Sequence, residues 1–507
     1  MNSAPRTSKS GLPFVDPADA RRVRRTKIVA TLGPASESPE TLEAMIRSGV
    51  DVVRMNFSHG SHAEHRRRVE RVREIAGRLD RNVGVLGDLQ GPKIRIERFI
   101  DDEVTLVEGR PFVLDAALDR DAGDATRVGV SYKDLPGDVI AGDTLLIDDG
   151  RLELEVEAVE GSEIHTRVSV GGPLSNNKGI NRQGGGLSAP AITDKDRADI
   201  ELAAQLDIDY LAVSFPRTAA DIEHARQLFV EAGGHGGLVA KIERAEALAA
   251  IHDILRVSDA IMIARGDLGV EIGDAELPAV QKSLIRDAGA ANVPVITATQ
   301  MMESMITQPL PTRAEVFDVA NAVLDGTDAV MLSAETASGA YPAEAIEAMG
   351  RICVGAERHR SVQVSEHRID TVFERTDEAI AMATMYTANH LRVRAIASLT
   401  ESGSTSLWMS RIHSGIPIYA LTRHERTARR VTLYRGVYPV SYPIVQVHPA
   451  EANRKAVEVL VERGVVGPGD RVIITKGDLM GVHGGTNSMK IVEVDADGTI
   501  DVPDTPE

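Results

Sequence analysis

A short apolar run, rich in β-branched residues and followed in most cases by a stretch of helical periodicity, recurs eight times in this chain. The runs begin at Thr26, Val50, Asn82, Ile208, Gly237, Ala260, Pro294 and Asp328. They are short and almost free of polar alternation at their starts, which marks strands of a parallel sheet buried on both faces. Between them lie helical patterns such as TLEAMIRSGV from Thr41 and EHARQLFVEAG from Glu223. Eight such units are what a (β/α)₈ barrel requires.

The chain has 507 residues, more than one compact core accommodates, and its remaining segments read differently from the barrel units. About a hundred residues separate the third and fourth strands. This stretch is rich in Gly and Asp, and VTLVEGRPFVL, DTLLIDDGRLELEVEAV and EIHTRVSVGG alternate as antiparallel strands joined by tight turns do. It reads as a small β domain, a β-barrel lid, inserted after strand three. A polar connector, HRSVQVSEHRI, follows strand eight, and RAIASLT, IPIYALT, GVYPVSY and RVIITKG then alternate with helical stretches such as DEAIAMATMYTANHL. That pattern is an open, doubly wound α/β domain. The expected division is a polar tail over 1–22, the barrel over 23–91 and 189–360, the inserted lid over 92–188, and the C-terminal domain over 361–507.

Bulk properties exclude several functions. A net charge of −18 and an aromatic content of 3% oppose binding to nucleic acid. The lone cysteine, Cys353, excludes a disulfide framework and a Cys-rich zinc site and suits a reducing compartment. No run approaches the length of a membrane span, and MNSAPRTSKSGLPF lacks the apolar core of a secretory signal. A cytoplasmic protein is expected.

Polar residues gather at the C-terminal ends of the strands, where barrel enzymes build active sites. Strand two ends in Arg54, Asn56, Ser58 and His59, and strand three in Asp88. Strand five ends in Lys241 and Glu243, strand six in Arg265, Gly266 and Asp267, strand seven in Thr299 and Gln300, and strand eight in Ser333 and Glu335. Alternation places Lys241 and Glu243 on the lumen face of one strand. They form either a structural ion pair or a phosphate-binding cation beside a metal-binding carboxylate. Asp267 on the next strand would supply a second carboxylate, and two carboxylates with substrate oxygens and water make a shell for Mg²⁺. Arg265-Gly266-Asp267-Leu268-Gly269 opens a helix and fits an anion site or a capped turn. His59 reads equally as a surface residue or a nucleotide contact. Met301, Met302 and Met305 have the spacing of core packing, and Arg66, Arg67 and Arg68 that of a solvated helix face.

At this point a resemblance is evident. KIERAEAL around Lys241 resembles the pyruvate kinase signature, and TKIVATLGP, VVRMNFSHG, GDLQGPKIR, ARGDLGVEI, ITATQMMESMI, PTRAEVFDVANAVLDGTDAVMLSAETASGAYP and ALTRHERTARRVTLYRGVYPV resemble family motifs in order. The resemblance implies phosphoryl transfer from phosphoenolpyruvate to ADP, giving pyruvate and ATP, with Mg²⁺ or Mn²⁺ as cofactor and a homotetrameric assembly. It implies Glu243 and Asp267 as metal ligands, Lys241 and Arg54 around the transferring group, and Thr299 in protonation of the enolate. Backbone N–H groups of Gly266 and Asp267 would cradle the substrate carboxylate, and His59 and Arg95 would contact nucleotide phosphates. Asn56, Ser58, Asp88 and Leu89 match a monovalent-cation site. Many members carry Glu where this chain has Lys93, so Lys93 is expected to do the work of K⁺, which would not be required. The loop with Thr400, Ser402, Ser404 and Thr405 is expected to take a phosphorylated effector, AMP or a sugar monophosphate, because GDLMGVHGGTN lacks the Trp and Arg of members responsive to fructose bisphosphate. Two rival readings remain: a metal-dependent lyase or aldolase on a related barrel, and a catalytically inactive metabolite sensor.

Overall fold

The computed structural model of the protein describes residues 23–359, 362–363, 372–442, 449–477 and 484–500. The expected N-terminal tail, most of the HRSVQVSEHRI connector and residues 478–483 of the Gly-rich loop lie outside them.

β1 (Lys27–Leu32), β2 (Val52–Asn56), β3 (Gly84–Asp88), β12 (Tyr210–Val213), β13 (Gly237–Ile242), β14 (Ala260–Ala264), β15 (Val295–Ala298) and β16 (Ala329–Leu332) close into a barrel. The order is β1-β16-β15-β14-β13-β12-β3-β2, and every neighbouring pair is parallel. Alternation divides each strand between two cores. Ile28, Ala30, Val53, Val85, Leu238, Ala240 and Ile242 pack outward with the helices. Val29, Val52, Leu86, Val239 and Met262 belong to an inner cluster that continues into the C-terminal domain through Met409, Val431 and Leu433. Each fully buried Leu or Ile contributes roughly 1.5–3 kcal/mol. Period two then sets Arg54, Asp88 and Lys241 on the lumen face two residues beyond Val52, Leu86 and Val239. Met301, Met302 and Met305 are fully buried, as their spacing predicts. Of the three arginines, Arg66 and Arg67 are exposed, but Arg68 is buried, its guanidinium turned toward Glu37.

The segment between β3 and β12 carries β4 (Glu103–Leu106), β5 (Pro111–Asp115), β6 (Arg127–Gly129), β7 (Thr144–Ile147), β8 (Leu152–Glu160), β9 (Glu163–Val170), β10 (Gly172–Ser175) and β11 (Ile180–Arg182). Six of them form the sheet β11-β7-β8-β9-β5-β6, and β10 pairs with β4. Single bridges from Arg95 to Gly179 and from Ile96 to Val130 join the two edges of that sheet and curl it toward a small barrel around its own core. Pairing is antiparallel as the alternating pattern predicts, except between β5 and β6, which run parallel. The way out of the barrel and the way back meet at one buried carboxylate. Asp196 Oδ1 accepts from Gly91 N at 3.1 Å, and Oδ2 accepts from Thr193 N and Oγ1 at 2.9 and 2.6 Å, which also caps the helix Asp194–Gln205.

The C-terminal domain is a sheet of β17 (Ala395–Leu399), β18 (Ile418–Thr422), β19 (Val437–Ser441), β20 (Arg471–Gly477) and β21 (Thr486–Glu493) in the order β19-β18-β17-β20-β21. Helices cover both faces: Ala381 and Met385 pack against Ile396, and Ala456 and Leu460 against Ala395 and Ala397. The antiparallel edge strand β21 is an addition to the four parallel strands read from the sequence.

Aspartates precede β2, β12, β14 and β16 at the barrel floor, and the last three of them dock this domain. Asp51, Asp209, Asp259 and Asp328 accept from the N–H groups of Ile28, Val85, Leu238 and Val295 at 2.8–3.0 Å. Each also holds an arginine: Arg24 at 2.7 Å, Arg429 at 2.9 Å, Arg430 at 2.6 Å and Arg411 at 2.8 Å, respectively. The last three arginines belong to the C-terminal domain. Burial pushes the Asp328 carboxyl up, but Arg411, helped by Arg435 and the Val295 N–H, outweighs this and its pKa is lowered. At Asp209 burial prevails over Arg429, and the carboxyl is raised to about 6.

Candidate active site

At the opposite end of the barrel, charged side chains from four strand ends converge. Arg54 donates through Nε to Asp88 Oδ2 at 2.7 Å and through NH1 to Thr31 Oγ1 at 3.1 Å. Lys241 Nζ lies 2.9 Å from Glu243 Oε1 and 3.3 Å from Asp88 Oδ1. Asp88 thus receives two cations from different strands while fully buried. Burial pushes its carboxyl up, yet Lys241 and Arg54 hold it below the usual range. Burial likewise disfavours the Lys241 ammonium, and Asp88 and Glu243 overcome this to raise its pKa. Burial pushes Glu243 up, Lys241 pulls it down, and the Asp267 and Asp88 charges add to the rise.

Glu243 and Asp267 are hard oxygen donors in a pocket where Glu243 is short of compensating charge. Among the described residues no cluster of three or more His, Cys, Asp or Glu side chains is gathered to hold a metal ion. Such a pair fits a divalent cation completed by substrate oxygens and water. Glu243 Oε2 is oriented by Phe215 N at 2.9 Å, and Phe215 adopts a left-handed φ of 56° to present it. Asp267 Oδ1 accepts from Lys93 Nζ at 2.9 Å. Lys93 therefore reaches the Asp267 side of the mouth, and Asp149 of the inserted domain lies 3.8 Å from the same ammonium.

Gly266 and Asp267 open the helix Arg265–Ile272, and Gly266 N donates to Thr299 Oγ1 at 2.8 Å. Asn56 Oδ1 accepts from Ser58 N at 3.1 Å, and Leu89 is buried with its carbonyl accepting from Ser214 Oγ at 2.8 Å. His59 is exposed. Arg95 donates to Asn177 O at 2.9 Å within the inserted domain. Glu335 is buried, and its carboxylate accepts from Ser333 N at 2.7 Å and Met302 N at 3.1 Å, so it ties the ends of β15 and β16 together. In the C-terminal domain Thr400 Oγ1 accepts from Gly403 N, Ser402 and Ser404 share a hydrogen bond, and Thr405 bonds Thr486 across to β21.

Ser214 is missing from the sequence reading of the site. It follows β12, receives Lys241 Nζ at 2.7 Å and completes the polar ring on the fourth strand. The rule that found the other strand ends would have found it too, since a serine closes the run YLAV.

A (β/α)₈ enzyme acting on an anionic substrate at its strand C-termini is the class that this fold and this cluster define. Residues 23–346 match the family model for the pyruvate kinase barrel domain, and residues 378–492 match that for its alpha/beta domain. Pyruvate kinase II of Salmonella typhimurium is 57% identical over 480 residues, covering 94% of this chain and all of the relative. The pyruvate kinases of Buchnera aphidicola from Acyrthosiphon pisum and of Haemophilus influenzae are 56% and 55% identical, covering 93% and 90% of this chain and 99% and 96% of theirs. The chain belongs to the pyruvate kinase family, and is accordingly a phosphotransferase of glycolysis that uses a divalent metal. Its substrates are phosphoenolpyruvate and ADP, and its products pyruvate and ATP. Among the described residues no helix is long and apolar enough to cross a membrane.

Proposed function

We propose that the charged mouth of the barrel performs this reaction with a definite division of labour. The observation that carries the reading is the convergence of Arg54 and Lys241 on Asp88, beside Glu243. Phosphoryl transfer needs in-line positioning and charge compensation on the equatorial oxygens. Arg54 and Lys241 approach the group from two strands and supply that compensation, while Asp88 fixes both side chains beforehand. A divalent cation, Mg²⁺ or Mn²⁺, held by Glu243 and Asp267 would add Lewis-acid polarisation of the substrate. Backbone N–H groups of Gly266 and Asp267, at a helix N-terminus, take the substrate carboxylate, Gly266 N exchanging the Thr299 hydroxyl for a carboxylate oxygen. The enolate left behind gains a proton at carbon. Thr299 relays it from water, because a hydroxyl is too weak an acid to be the ultimate donor. The inserted domain closes over the mouth and excludes water from the phosphoryl group, with His59 and Arg95 on the nucleotide phosphates.

Lys93 does the electrostatic work of the monovalent cation that Asn56, Ser58, Asp88 and Leu89 would hold, acting from the Asp267 side of the mouth. Asp88 already carries Arg54 and Lys241, and an ammonium against Asp267 supplies the further fixed charge. The loop of Thr400, Ser402, Ser404 and Thr405 takes AMP or a sugar monophosphate, the chain assembles as a homotetramer, and the enzyme works in the cytoplasm. A panel of phosphorylated effectors and light scattering test the first two of these.

The central reading is tested with Lys241→Met. ATP formation should fall by about two to three orders of magnitude, the scale of losing one preorganised electrostatic contact, while exchange of the pyruvate methyl protons with solvent survives better. Near-normal ATP formation would sink the assignment.

A further inference from the structure

The backbone beside the barrel mouth is bent against its preference at two consecutive residues. Thr299 has φ 70° and Gln300 φ 52°, both in the left-handed region. A β-branched residue enters that region at a steric cost, and such strain persists only where the surroundings over-determine it.

Arg265 provides the determination. Its Nε donates to Ala298 O at 3.1 Å and its NH2 group donates to Thr299 O at 2.6 Å, so one guanidinium closes on both carbonyls at the start of the bend. The same guanidinium forms a fork with Asp318, NH1 to Oδ1 and NH2 to Oδ2, each at 2.7 Å. Asp318 projects from the helix Arg313–Asp325, and Arg265 itself is buried. The residue that follows Arg265 acts on the other end of Thr299, since Gly266 N donates to its Oγ1. Thr299 is thus held at its carbonyl by the Arg265 side chain, while its hydroxyl accepts from Gly266 N and donates at 2.6 Å to Ala298 O, the other carbonyl that Arg265 holds. A planar fork of five donors can serve two carbonyls and a carboxylate in one orientation; a lysine ammonium on a flexible stem cannot.

We propose that Arg265, locked by Asp318, is a positioning residue that holds Thr299 in its left-handed conformation and thereby sets the direction of the hydroxyl through which the enolate is protonated. The proposal rests on the reading of Thr299 given above. In that step the Thr299 O–H bond breaks as the C–H bond of the methyl group forms, and water returns the proton to the oxygen. Arg265 touches no reacting atom; it acts through the geometry of the bend.

The test uses the full-length enzyme with Arg265→Lys and, separately, Asp318→Asn, which loosens the fork without touching the bend. Two quantities are measured: kcat for pyruvate formation, and exchange of pyruvate methyl protons in D₂O followed by proton NMR. Both variants should lose about tenfold or more in kcat and in exchange together, with much smaller changes in KM for phosphoenolpyruvate and ADP. Gln300→Gly placed in the Arg265→Lys background should recover about fivefold, because glycine enters the left-handed region without the steric cost. A residue that only stabilised the fold would show no such recovery. The proposal is overturned if both variants keep wild-type exchange, or if the loss is not relieved by glycine at 300. Thr299→Ala run in parallel separates the two readings. If it keeps full exchange, the relay itself fails and the proposal falls with it. If it abolishes exchange while Arg265→Lys and Asp318→Asn do not, the clasp alone is wrong.

Discussion

Both ends of the barrel bury carboxylates against arginine or lysine, yet the two arrangements differ in how the charges are used up. At the floor each aspartate binds a strand N–H and at least one guanidinium, Asp259 taking both Arg226 and Arg430. Asp328 and Arg411 are each 3% exposed by side chain, and their charges are matched. At the mouth the partners do not match one to one. Two cations share Asp88, Lys241 is divided among Asp88, Glu243 and Ser214, and Glu243 is left with its pKa raised. A buried ion pair is therefore weak evidence for a reactive site. The mark of one is a cluster whose charges are complete only when a ligand is added. Of the four floor aspartates, by contrast, Asp51, Asp259 and Asp328 have lowered pKa values, and Asp209 alone keeps a raised one.

The widest separation between the ends should appear with Arg411→Ala. It strands the Asp328 carboxylate and should lower unfolding free energy by about 3 to 5 kcal/mol, measured by denaturant titration, with kcat little changed at 25 °C. A variant that kept its stability but lost activity would erase the distinction. Glu243→Gln should behave oppositely. Half-saturating Mg²⁺ should rise by at least about tenfold, since one of two carboxylates is gone, while the thermal midpoint does not fall. Lys93 sharpens the account of the mouth. In buffer whose sole monovalent cation is tetramethylammonium, adding KCl at constant ionic strength should raise wild-type kcat/KM by less than about tenfold, because a fixed ammonium already supplies the charge. Lys93→Glu should lose activity without K⁺ and regain part of it when K⁺ is added. The smallest effect belongs to Asp209. Its folded pKa of about 6 lies above the ordinary carboxylate value, so the folded chain binds this proton more tightly than the unfolded one. Its stabilising contribution is full below the ordinary value and is lost as pH rises to 6, with a slope of at most about 1.4 kcal/mol per pH unit. Asp209→Asn should flatten stability against pH across that window and leave the mouth's pH–rate profile in place.

Much of this was legible in the sequence because period two is a local property. The runs around Val52, Leu86 and Val239 declare both-face burial, and counting two residues onward reaches Arg54, Asp88 and Lys241 without a structure. The illegible parts depend on partners far away in the chain. Nothing near Asp328 announces Arg411, 83 residues on, and nothing near Asp209 announces Arg429, 220 residues on. Lys93 was readable as an unusual residue in the GPKIR segment, but its ammonium reaches Asp267 because of the route the chain takes into the inserted domain. The parallel pairing of β5 and β6 was hidden because a short alternating run carries no direction.

One carboxylate joins the two connections of the inserted domain, and β3 and β12 remain hydrogen-bonded neighbours, with Leu86 opposite Tyr210. In chain-entropy terms the barrel experiences the whole insertion as one long loop whose ends are already together. Closure entropy grows only with the logarithm of loop length, so a hundred-residue excursion costs the barrel about 2 kcal/mol more than a ten-residue turn would. The inserted domain has a core of its own to meet the cost of ordering its interior. The barrel can therefore carry a lid of almost any size at nearly constant expense, provided that both of its ends return to Asp196.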